Sequence, residues 1–147
     1  MNKITISGVI KSIFLLITMA LLIMNFSACA KKISFQNSAV APAARGHVKI
    51  KKDGNNNYNI QIRLLNLAES NRLEPAKNTY VVWMESDNSS AKNIGQIKSD
   101  INFMAKKLKA QFTTISPIKP TKIFITAEDD ATTQYPGNVV VLTTNNL

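Results

Sequence analysis

A turn cluster between two alternating runs sets the tightest limit on what this chain can fold into. Residues 47–52 (HVKIKK) place Val48 and Ile50 on one face and Lys49 and Lys51 on the other. After DGNNN at 53–57, the run YNIQIRLL at 58–65 resumes the period, with Tyr58, Ile60, Ile62 and Leu64 against Asn59, Gln61 and Arg63. Side chains alternate faces in this way only along an extended strand. Asp, Gly and Asn tolerate the backbone of a tight turn, so the segment predicts a β-hairpin. A lone hairpin is marginal in water and needs further strands over its apolar face.

Those strands follow downstream. Residues 79–85 (TYVVWME) are apolar on both faces, as in a strand within a two-layer sandwich, and this places Trp83 in the core rather than in a ligand-stacking role. The polar stretch 86–92 (SDNSSAK) reads as a turn and 93–98 (NIGQIK) as a short strand. INFMAKKLKAQF (101–112) is compatible with a short amphipathic helix. The alternation of Leu108, Ala110 and Phe112 with Lys107, Lys109 and Gln111 instead predicts a strand over 107–115. Pro117 and Pro120 bound a corner, and TKIFITAE (121–128) and NVVVLTT (138–144) are the last strands, joined by DDATTQYPG. Upstream, Glu74-Pro75 disfavours helix in the 66–78 loop. The expected fold class is all-β, an antiparallel β-sandwich of about seven strands, with barrel closure as the competing layout.

The N-terminal part differs in kind. Residues 12–24 (SIFLLITMALLIM) carry no charge, Lys3 and Lys11 precede them, and Ser27 and Ala28 follow. A basic start, an apolar stretch of about 7–15 residues and a small-residue exit is the layout of a secretory signal. The fourteen residues from 13 to 26 fall short of the ~20 that a spanning helix needs. Directly after them stands the only cysteine, in FSAC. This resembles the lipobox of bacterial lipoproteins, with Phe26 where leucine is commoner. The resemblance implies a diacylglycerol thioether on Cys29 and cleavage just before it. Two or more acyl chains would anchor the protein stably without a spanning helix. The expected organisation is therefore a cleaved signal at 1–28, a flexible lipidated tether at 29–46, and the sandwich at 47–147. Residues 33–35 are a possible edge strand within the tether. The mature chain would hold sixteen Lys/Arg and nine Asp/Glu, a formal charge of +7.

The segment order from Leu67 to Leu142 resembles the extracytoplasmic C-terminal domain of anti-sigma factors of the anti-sigma-K type. The residues that carry the likeness are Tyr80 and Trp83, Gly95, Phe124-Ile125-Thr126-Ala127-Glu128, Pro136-Gly137, and Val139-Val140-Val141-Leu142. The resemblance implies an immunoglobulin-like sandwich outside the cytoplasmic membrane. Two departures limit it. Glu128-Asp129-Asp130-Ala131 lacks the glycines usual after the Thr-x-Glu step. The few residues before the apolar stretch contain neither His nor Cys, so the sigma-binding activity of that family is not expected of this sequence.

Catalytic chemistry has little to build on. His47 is the sole histidine, and any triad or acid–base pair using it would lie at the tether–strand junction. Glu128, Asp129 and Asp130 could offer oxygens to a cation or ligand, but without EF-hand spacing. With Cys29 lipidated, no thiol remains for zinc or redox work. The basic residues offer two patches: Arg45, Lys49, Lys51 and Lys52 near the tether, within reach of anionic head groups, and Lys98, Lys106, Lys107 and Lys109. The expected function is a non-catalytic binding module on an envelope lipoprotein, without a cofactor, meeting the membrane through Cys29 and a protein or glycan partner. Nucleic acid is not expected for an exported chain. Ala30, in place of a retention-type aspartate, points to the outer membrane facing the periplasm. The alternative is a small exported hydrolase or metal-dependent enzyme using His47 and the acidic loop.

Overall fold

A computed structural model of the chain describes residues 6–23, 30–87, 89–97 and 109–147. Cys29, Lys98, Lys106, Lys107 and the possible helix start at 101–108 lie outside the described residues. The apolar N-terminal run forms α1 (Ile6–Ile23). Its charge-free part, from residue 12 to residue 23, is only about 18 Å long at ~1.5 Å per residue. Among the described residues no helix is long and apolar enough to cross a membrane.

The rest is an antiparallel sandwich of two four-stranded sheets. The first holds β1 (Lys31–Ser34), β2 (Arg45–Lys52), β3 (Tyr58–Leu65) and β6 (Lys109–Ser116), in the order β1-β2-β3-β6. The second holds β4 (Thr79–Ser86), β5 (Ser89–Ile97), β7 (Lys122–Glu128) and β8 (Val140–Thr143), in the order β5-β4-β7-β8. Setting β2-β3-β6 against β5-β4-β7-β8 gives the three-plus-four order of an immunoglobulin-like sandwich, with β1 added beside β2. A one-turn helix at Ser70–Arg72 lies in the β3–β4 crossover.

The predicted hairpin is present. Val48 faces Ile62, and Ile50 faces Ile60, in β2–β3 register. The turn is held by Asp53, whose Oδ1 accepts from the amides of Asn55 (2.8 Å) and Asn57 (2.9 Å), with Asn56 at φ 65°. Val48, Ile60, Ile62 and Leu64 meet Tyr80, Val82, Met84, Ile123 and Ile125 between the sheets. Burying a side chain of this size contributes about 1.5–3 kcal/mol, so this shared layer is the main source of cohesion. Tyr80 is anchored there by its hydroxyl, which donates to the Ala68 carbonyl at 2.8 Å; burial pushes that phenol up to about 12. At the seam between the sheets Gly95 adopts φ +137°, and a Cβ on it would stand 2.7 Å from the Phe112 ring.

Three expectations need correction. The segment read as a tether is built into the sandwich from Lys31 onward. It supplies β1, and Phe35, Ala41 and Ala44 are buried in the main core. Its residues lack a period because much of it crosses the edge as turns, where Ala41 donates to Ser38 Oγ (2.8 Å) and Ala44 to the Ala41 carbonyl (2.9 Å). The backbone then clasps both sheets: Phe35 donates to Gly46 O (3.0 Å) and Gln36 to Thr143 O (2.8 Å). Next, the polar run at 86–92 is mostly strand. β5 starts at Ser89, as an edge strand whose outward positions are free to be small and polar. Finally, Trp83 is buried, but not between the sheets. It lies on the outer face of the second sheet, in a separate cluster with Val81 and Phe124.

Candidate functional site

The two outer faces are opposite in character. On the first sheet, period two turns every second side chain away from the core, and the register aligns those side chains in rows across the strands. One row is Ser34, His47, Arg63 and Gln111; the next is Lys32, Lys49, Gln61 and Thr113. A third joins Lys51, Asn59 and Ile115, and a fourth Arg45, Leu65 and Lys109. The charged members of these rows are all basic. Asp53 is the nearest acid in sequence, and its Oδ1 is occupied by the hairpin turn.

Two adjoining hollows mark the middle of this face. One, of about 310 Å³, is lined by Ala30, Lys32, His47, Lys49, Gln61 and Arg63. The other, of about 470 Å³, shares Lys49 and Gln61 with it and continues along Lys51, Lys52 and Asn59 to the hairpin turn. Lys32 stands directly opposite Lys49, and His47 opposite Arg63. Like charges directly opposite on a sheet are destabilising. Partial burial, then the charges of Lys32 and Arg63, hold His47 below its ordinary value of 6.5. The imidazole is thus biased to the neutral form by burial first and by the neighbouring cations second, with no carboxylate among the causes.

The outer face of the second sheet is roofed. Trp83 stacks on Phe124 with ring centroids 6.3 Å apart, and its indole N–H donates to Thr126 Oγ1 at 2.7 Å. The Thr126 hydroxyl donates in turn to Glu128 Oε1 at 2.5 Å, which also accepts the Gly137 amide at 2.7 Å. Asn93 Nδ2 donates to the carbonyls of Ala131 and Thr133, both at 2.9 Å, so the β7–β8 loop is tied across this face from both ends. Lys122 and Glu85 pair at 3.4 Å at its margin.

This arrangement accounts for the acidic run. Glu128 is buried and holds the loop's return at Gly137. Asp129 points away to Lys77 Nζ at 2.7 Å. Asp130 folds back onto its own loop, accepting from the amide and the hydroxyl of Thr132, both at 2.8 Å; these bonds hold its carboxyl below the usual range. The three carboxylates thus engage separate partners, and His47 lies on the other sheet. Among the described residues no group of three or more His, Cys, Asp or Glu is placed to hold a metal ion.

Lys49, Lys51 and Arg45 were legible as a basic group from sequence. The contributions of Lys32, His47 and Arg63 were not, because they depend on β1 pairing with β2 and on the β2–β3 register. The alternation that placed Arg63 opposite the apolar side of β3 was the one signal available for it. A scan against protein-family models, a search of the curated proteins and a search of the solved structures each found no match to this chain.

Proposed function

We propose that the protein is a lipid-anchored envelope lipoprotein whose sandwich is a non-catalytic interaction module, similar in kind to the outer domain of an anti-sigma factor. The observation that carries the interaction reading is the outer face of the first sheet, whose charged side chains are all basic. Such a surface works by presenting charge to an anionic partner. The directly opposed pair of Lys32 and Lys49 opposes folding, and a role in binding gives a reason for it. The lipid-anchored part rests on FSAC and the apolar segment before it: acylation at Cys29 fixes the chain to a bilayer, most simply the periplasmic face of an outer membrane.

Mass spectrometry of the N-terminus of the mature protein tests the anchor. The expected product begins at Cys29 and carries diacylglycerol, with or without an amide-linked acyl chain. Protease treatment of intact and of permeabilised cells assigns the face. An unmodified Cys29, or a mature chain that starts elsewhere, rejects the reading.

A further inference from the structure

The structure assigns a ligand to the basic sheet face: we propose that the outer surface of β1-β2-β3-β6 docks flat on an anionic phospholipid bilayer. The inference deepens the lipoprotein reading and rests on it.

Geometry favours a planar partner. Neighbouring strands lie about 5 Å apart and same-face positions along a strand ~7 Å apart, so the cations form a two-dimensional array. The hollows at its centre adjoin through Lys49 and Gln61, and their cations, Lys32, Lys49, Lys51 and Arg63, are spread across three strands rather than gathered around one point. Such an array matches a sheet of phosphate head groups, each cation reaching a different lipid.

Two further features favour a bilayer over a soluble polyanion. Leu65 and Ile115 lie on the same outer face and are 41% and 62% exposed. Apolar side chains among lysines are suited to an interface where the chains enter the acyl boundary and the ammonium groups stay with the phosphates. A polysaccharide has no acyl region for them to enter. The chain also arrives at this face, since Ala30 lines the smaller hollow beside His47 and Lys49. A lipid on the preceding residue would hold the face at high effective concentration over the bilayer, so weak contacts suffice to orient it.

Residue-resolved lysine acetylation tests this with the mature, membrane-purified protein reconstituted into vesicles. One set contains phosphatidylglycerol and phosphatidylcholine, the other phosphatidylcholine alone. In the anionic vesicles Lys32, Lys49 and Lys51 should react roughly tenfold more slowly, whereas Lys92 and Lys119, on the second sheet and the β6–β7 corner, should be unchanged. The protection should disappear near 1 M salt, where the Debye length is ~3 Å. A face variant carrying Lys49→Glu and Arg63→Glu should lose the protection of Lys32 and Lys51 while keeping its fold by circular dichroism. Equal reactivity in both vesicle types overturns the proposal. So does protection of the same lysines by a sulfated polysaccharide with no effect of anionic lipid, which would assign the face to a glycan. The mass of the N-terminal peptide, read in the same digest, reports separately on the anchor. A lipidated Cys29 with unprotected lysines rejects the docking alone, and an unmodified Cys29 rejects the lipoprotein reading.

Discussion

The two sheets share strand length, pairing and a common core, yet their outer faces follow opposite rules. The first leaves its outside open and fills it with Lys, Arg, Gln and Thr. The second buries its outside under its own β7–β8 loop, around Trp83, Phe124 and Thr126. The contrast shows that a strand with two apolar faces need not lie deep inside a large protein. In TYVVWME, Tyr80, Val82 and Met84 serve the inter-sheet core while Val81 and Trp83 serve a small second core that the eleven-residue β7–β8 loop completes. One face of the molecule is committed to stability, leaving the other free for a surface that works against it.

The largest effect that could break this comparison is on Trp83. Trp83→Ala removes a fully buried ring, its stack on Phe124 and a hydrogen bond, and should cost about 3–5 kcal/mol in a denaturant titration. A loss below ~1 kcal/mol, as for an ordinary surface site, would mean the second face is not a core at all. Glu128→Ala should cost less, about 1–3 kcal/mol, by leaving the Gly137 amide and the Thr126 hydroxyl without their shared acceptor. Hydrogen exchange should localise that loss to the β7–β8 loop and spare β2 and β3.

On the open face the sign reverses. Lys49→Gln relieves its repulsion with Lys32 and should stabilise the fold by ~0.2–0.5 kcal/mol at low salt, a gain that fades as salt is added. Destabilisation instead would make Lys49 a packing residue. The smallest effect concerns the single histidine. Because the folded state holds His47 below 6.5, the unfolded chain binds its proton more readily. This group therefore has no influence on stability well above that pH and lowers it progressively as the pH falls below 6.5. Replacing Lys32 and Arg63 by Gln should move the histidine titration upward in an NMR pH series, toward the ordinary value. An unchanged titration would leave burial as the whole cause.

Much of the sandwich was legible from local pattern. Val48, Ile60 and Ile62 declare their strands by period two, and the Asp53 turn declares its hairpin. β1 was legible only as a possible edge strand at 33–35, because Lys31-Lys32-Ile33-Ser34 has one apolar residue and gains its place by pairing with β2. The start of β5 was hidden for a related reason, since Ser89, Ser90 and Lys92 are an edge's residues and also a turn's. Trp83 was correctly read as buried and wrongly placed, because alternation marks which residues share a face and not what covers it. The acidic run illustrates the limit for sites. Three adjacent carboxylates are visible in any sequence, but whether they converge is decided by Lys77, Thr132 and Gly137, which are far away or chemically ordinary. The basic face had the reverse problem. Lys49 and Lys51 were visible as a group on one strand, but only the β1–β2 and β2–β3 registers set Lys32 and Arg63 beside them.

The clasp between Phe35 and the two sheets has a mechanical consequence. Ala30 is where any pull from a membrane attachment would reach the domain, and β1 is the first element in line. A load there would peel β1 from β2 one bond at a time, releasing four residues, or about 13 Å at ~3.3 Å each. It would then meet Phe35, which is buried in the main core as well as bonded to Gly46, while its neighbour Gln36 is bonded to Thr143 of the other sheet. The edge strand is thus a reserve of slack with a fixed end, letting the domain rise from a surface without unfolding.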